Sequence, residues 1–142
     1  MAYNIVLQVH EVIAKIVEGK TKKEKVELLK QYESWPLKDV LRCIYDDTIQ
    51  FLLPGGKPPY TPNLAQSAPS SITRRHKDFK YFVKGGPGVN IQGFKREKMF
   101  IDLLESVHPD EALLLIDMMN KKAITGLTKA TVKEAYPNLI RA

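Results

Sequence analysis

The sequence predicts an all-α fold, a compact bundle of five to seven helices with a Pro-rich loop or arm. Three observations lead there. Apolar residues recur at spacings of three and four along most of the chain, the period of a helix that buries one face. Start and stop residues bracket these stretches. The one segment that reads as extended, residues 89–93, has no obvious partner strand.

Ile5, Val6, Val9, Val12, Ile13, Ile16 and Val17 make the first stripe, about four turns long and ending near Gly19. Thr21 can cap a second helix reaching Tyr32, with Glu24 completing a capping box and Val26, Leu28 and Leu29 buried. Ser34-Trp35-Pro36 opens a third, since Pro is tolerated in a first turn. Its buried face is Leu37, Val40, Leu41, Ile44, Tyr45, Ile49 and Leu52, and Pro54-Gly55-Gly56 stops it. Trp35 is expected to pack against the first two helices. Residues 54–72 hold five prolines, two glycines and three serines, which predicts an extended, mobile arm. Ser71 or Thr73 can cap a basic helix to about Val83, and residues 84–93 form a Gly-rich turn. Phe94 to Val107 has Met99, Phe100, Leu103, Leu104 and Val107 on one face. Pro109-Asp110-Glu111 starts a helix apolar nearly all round, which predicts burial of Leu113, Leu114 and Ile116. Thr128 caps a last helix, Lys129 to Tyr136, stopped by Pro137.

A chain of 142 residues corresponds to one domain, residues 1–142, large enough to hold a core without disulfides. No apolar run reaches the ~20 residues of a membrane span, so no membrane partner is expected. Met1 to His10 lack a basic start and a cleavage site, so no signal peptide is expected. A single cysteine, Cys43, suggests a reducing compartment.

The net charge of +6 is concentrated. Residues 1–73 carry a net +1 and residues 99–142 a net −1. Residues 74–98 carry Arg74, Arg75, Lys77, Lys80, Lys84, Lys95, Arg96 and Lys98 against Asp78 and Glu97, a net +6. Such a segment attracts a polyanion, most commonly nucleic acid. It also suits a plain solvated face, although Phe79, Tyr81, Phe82 and Phe94 interleave with it and point to packed aromatics nearby.

Catalytic signatures fail. In Gly88 to Lys95, Phe94 stands where a phosphate loop needs Lys, and no Ser or Thr follows Lys95. His10, His76 and His108 are far apart in the sequence and share no ligand spacing, so neither metal nor cofactor is expected. Cys43 reads as a small buried hydrophobe. Asp46 and Asp47 point about 100° apart on a helix and form no dyad; they read as surface acids or a local hydrogen bond. No enzyme is expected.

Two stretches resemble one family. Leu37 to Phe51, a leucine-rich helix running into Tyr45-Asp46 and an aromatic, is similar to the N-terminal DNA-binding domain of tailed-phage ATP-dependent DNA ligases. Met118 to Ile140 resembles that family's basic-Leu-x-x-Gly-small-Ser pattern, followed by a short helix ending in an aromatic, Pro and Leu-Ile. The likeness covers about a third of the chain closely. The Pro-rich and Gly-rich middle departs from it. The ligase lysine motif, Lys-x-Asp-Gly, is absent. Nearly the whole chain also resembles small uncharacterised proteins of myovirus-type cyanophages, which implies a phage origin and the cytoplasm of an infected host cell.

The resemblance implies a ligase-type DNA-binding domain standing alone. Gly126 permits positive φ, and Thr128 opens a helix whose free N–H groups can hold a phosphate. Lys121, Lys122, Lys129 and Lys133 complete that site, and the eight cations of residues 74–98 make a second basic face. The same corner also suits an ordinary helix–turn–helix junction with Gly as C-cap. Non-catalytic binding of double-stranded DNA is the leading expectation. A protein-interaction module acting on phage or host replication or transcription machinery, with Pro54–Pro69 as docking peptide, is the second. A sequence-reading helix at residues 128–136 is the third, and Lys129, Thr131 and Lys133 suit it poorly.

Overall fold

A computed structural model describes residues 7–64 and 68–140. Ile5 and Val6 of the expected first stripe, and residues 65–67 of the expected arm, lie outside them. Among the described residues there are seven α-helices and no sheet, so the fold is all-α.

Helix α1 (Val9–Val17) buries Val9, Val12, Ile13 and Ile16, and Gln8 and Glu11 cap it reciprocally. Helix α2 (Lys22–Gln31) starts at Thr21, whose hydroxyl accepts from Glu24 N–H at 3.1 Å. The Glu24 carboxylate takes the Lys20 N–H instead of the Thr21 N–H of a capping box, and Leu28 is only half-buried. Helix α3 (Trp35–Tyr45) is capped by Ser34. It ends at Tyr45, two turns before the expected stop. There the Asp46 carboxylate accepts from Thr48 N–H at 2.9 Å and Thr48 Oγ1 at 2.6 Å, a local turn that competes with helical bonding. Ile49 and Leu52 therefore leave the helix. Phe51 instead bridges Val83, with Leu52 N–H donating to Phe82 O and Lys84 N–H to Gln50 O.

The described part of the Pro-rich segment is pinned, which corrects the expectation of a mobile arm. Asn120 exchanges two hydrogen bonds with Gly56, at 2.7 and 2.9 Å. Glu105 accepts from Thr61 N–H and from the Asn63 amide, and Ser70 N–H reaches Ser106 O. Polar backbone that lacks a ladder has found side-chain partners on neighbouring helices. The expected basic helix is one turn, α4 (Ile72–Arg75), running into a 3₁₀ helix (His76–Tyr81). The Gly-rich turn contains a second 3₁₀ helix (Pro87–Asn90) rather than a strand. Gly88 is needed there: a Cβ on it would lie 1.9 Å from the Tyr81 carbonyl oxygen.

Helices α5 (Gly93–Ser106) and α6 (Pro109–Met119) fill the centre, and α7 (Lys129–Ala135) packs on α2. Phe100, Leu103, Leu104, Val107, Leu115 and Met118 are fully buried. Leu113 is 51% exposed and Leu114 half-buried, because α6 has one outward stripe despite its apolar composition. Trp35 is 64% exposed, not packed against α1 and α2; Leu37 turns inward instead. Phe94, 68% exposed, borders no packed cluster, whereas Phe79 and Phe82 are in the core.

Candidate nucleic-acid interface

Two of the predicted phosphate ligands are structural. Lys121 Nζ donates to the carbonyl oxygens of Cys43, Asp46 and Ile49 at 2.6, 2.7 and 2.9 Å. Its ammonium thus satisfies free carbonyls at and beyond the α3 C-terminus. Burial holds its pKa below the ordinary lysine value, against the pull of Asp46 and Asp47. Arg96, 9% exposed, donates to the carbonyls of Leu52, Gly88 and Ile91 at 3.2, 3.1 and 2.9 Å. It ties the Gly-rich turn to the segment after α3. Neither side chain is presented to solvent as a phosphate ligand.

The rest of the C-terminal corner is mixed. Gly126 has φ +87°, as expected, and packs beside Val17 while its carbonyl accepts from Lys25 Nζ. Thr128 caps α7 by accepting from Thr131 N–H at 3.2 Å, so that donor is already used. Lys129 is 3.0 Å from the Asp47 carboxylate. Lys122 and Lys133 are exposed. Thr131 is buried with its hydroxyl on Thr128, which removes it from any base-reading face of α7.

In the basic segment Arg74, Lys77, Lys80, Lys84, Lys95 and Lys98 are exposed. Arg75 is half-buried and 2.6 Å from Asp78. Lys80 sits 5.3 Å above the Tyr81 ring. A groove between α3 and the first 3₁₀ helix is lined by Arg42, Lys77 and Lys80, with Asp39 and His76 beside them and Cys43, Ile49 and Phe79 as apolar lining. Arg42 and Ile49 also line an adjoining depression with Asp46 and Thr48. Asp47, between Asp46 and Thr48 in the chain, carries the ion pair to Lys129.

Arg42 is the member that sequence reasoning missed, because it lies in a segment of nearly balanced charge. The signal was its place on the polar side of α3, three residues after Asp39, with which it pairs at 3.4 Å. Asp39 Oδ2 also meets His76 Nδ1 at 2.5 Å. Arg42 Nε is buried without a protein partner. Beneath it the Cys43 thiol is pushed up to about 12 by burial, so it is a packing group and not a nucleophile.

The structure also brings together His10 and His108, which the sequence separates. Their rings stack with centroids 4.5 Å apart. Among the described residues no helix is long and apolar enough to cross a membrane. Residues 12–125 match the model of a family of unknown function, DUF6433. No curated protein matches the chain.

Proposed function

Because the chain belongs to the DUF6433 family, whose description assigns no activity, we propose a function from its own residues. It is a non-catalytic protein that binds double-stranded DNA through the phosphate backbone, with little sequence preference. The observation that carries this reading is the groove where Arg42, Lys77 and Lys80 meet. Three cations from two elements converge on one concave surface, and Lys84 follows groove-lining Val83 in the chain. Outside the groove, Lys122 is a further exposed cation, while Lys129 is paired with Asp47. Phosphate contacts carry no base information, so such a site binds unrelated sequences alike. The likeness to cyanophage proteins and phage ligase domains supports a phage accessory role in the cytoplasm of the infected host.

Fluorescence anisotropy of a labelled duplex at two salt concentrations tests the reading. Binding should weaken steeply with salt, because released counterions drive it. Replacing Arg42, Lys77 and Lys80 together by Gln should flatten the slope by up to about 0.9 per lost phosphate contact. Binding that is absent at low salt, or indifferent to salt, sinks the proposal.

A second reading rests on a different face. Exposed Trp35 lies with Tyr136, Pro137 and Leu139 along a groove between α3 and the chain after α7. Aromatic-lined grooves of this kind accept extended peptides. An interaction module acting on replication or transcription machinery would use that face, and Trp35→Ala should then abolish capture of the partner without changing DNA affinity.

A further inference from the structure

His10 on α1 and His108 at the start of α6 stand 98 residues apart in the chain, yet their rings stack 25° from parallel. Asp110 joins them. Each of the three offers one ligand atom within 4.8 Å of the other two. We propose that His10, His108 and Asp110 form a binding site for a divalent transition-metal ion of the zinc type.

One observation beyond the cluster itself supports it. His10 Nδ1 is buried and has no hydrogen-bond partner in the protein. A buried ring nitrogen left unpaired is costly, and a metal ion would satisfy it. His108 Nδ1 accepts from Asp110 N–H at 3.0 Å, with Asp110 Oδ2 4.0 Å away, so an ion bound there displaces that capping bond.

Two imidazoles and one carboxylate are a borderline nitrogen and oxygen set, suited to Zn²⁺, Co²⁺ or Ni²⁺ rather than Mg²⁺ or Ca²⁺. Ligand atoms about 2.0–2.2 Å from one ion lie roughly 3.4 Å apart. The present spacing must close by up to about 1.4 Å, and one ring must rotate out of the stack so that both nitrogens point in-plane at one ion. Three protein ligands leave a fourth position for water. The ion would staple α1 to α6 and stabilise the fold by mass action.

The test is titration of the full, tag-free chain with zinc chloride by calorimetry, with cobalt absorption and thermal unfolding as second readouts. One zinc ion should bind per chain and raise Tm, and magnesium should do neither. His10→Gln and His108→Asn should each weaken zinc binding by about 100-fold or more. Asn is a good helix cap, so the second variant keeps the start of α6 intact, and circular dichroism checks that both variants fold. Cobalt should give a low-coordinate visible spectrum that both substitutions erase. Absence of zinc binding, or binding that survives either substitution, overturns the site.

Discussion

Lys121 Nζ lies 2.6 Å from the carbonyl oxygen of Cys43, so a lysine near the C-terminus closes the end of a helix 78 residues earlier. Two further carbonyls share the same ammonium. Lys121→Met keeps the stem and removes three charge-assisted bonds. It should cost about 2–3 kcal/mol in urea unfolding followed by helix ellipticity. DNA affinity of the folded fraction should stay within about twofold, because the ammonium is already spent on the fold. Full stability with lost DNA binding would return Lys121 to the phosphate site.

Lys122 and Lys129 make the contrasting test. Both replaced by Gln should leave stability nearly unchanged, since exposed charges and ion pairs contribute about 0–1 kcal/mol. Affinity for two unrelated duplexes should fall by a similar factor. A loss confined to one duplex would favour base reading by α7.

Helix α6 offers a matched pair. Leu115 is fully buried and Leu113 is 51% exposed. Leu115→Ala should cost about 2–5 kcal/mol and Leu113→Ala no more than about 0.5 kcal/mol. Equal losses would mean that α6 presents a different face to the core.

Cys43 supplies a pH dependence. Burial raises its thiol from 9.0 to about 12 in the folded chain. An acid whose folded pKa is raised is fully stabilising below the unfolded value and loses that stability as pH climbs toward the folded one. Stability should therefore fall between about 9 and about 12, less steeply in Cys43→Ala. At pH 8 a thiol reagent should modify Cys43 only after unfolding in urea. Rapid labelling of the native protein would contradict the burial.

Gly88 and Gly93 sit five residues apart with opposite expectations. A Cβ on Gly88 meets the Tyr81 carbonyl, whereas nothing lies within 4 Å of one on Gly93. Gly88→Ala should lower Tm by several degrees, at about 3 °C per kcal/mol for a chain of this length. Gly93→Ala, in the first turn of α5, should be neutral or slightly stabilising.

Much of the fold was legible because helices announce themselves locally. The Val9–Ile16 stripe, the Thr21, Ser34 and Thr128 caps and Pro109 all act within a few residues of where they stand. The end of α3 was not legible, since apolar periodicity runs on through Ile49 and Leu52 while Asp46 and Thr48 turn the chain. The candidate site was half legible. Composition locates the basic segment, but not that Arg96 is consumed by Leu52, Gly88 and Ile91, or that Arg42 enters from another helix. Partners of irregular backbone follow no period. The meeting of His10 with His108 has no local sign at all, because only the packing of α1 on α6 creates it.

Trp35 is the chain's one tryptophan, and its ring lies open to water with Lys38 Nζ 4.8 Å from its centroid. An indole that is already hydrated changes its surroundings little when the chain unfolds. Its intrinsic emission therefore says little about the folded fraction. What it does register is anything that comes to rest on the α3–α7 face, where a shift toward shorter wavelength would mark the arrival of a dry surface. The protein carries its own optical sensor, aimed outward.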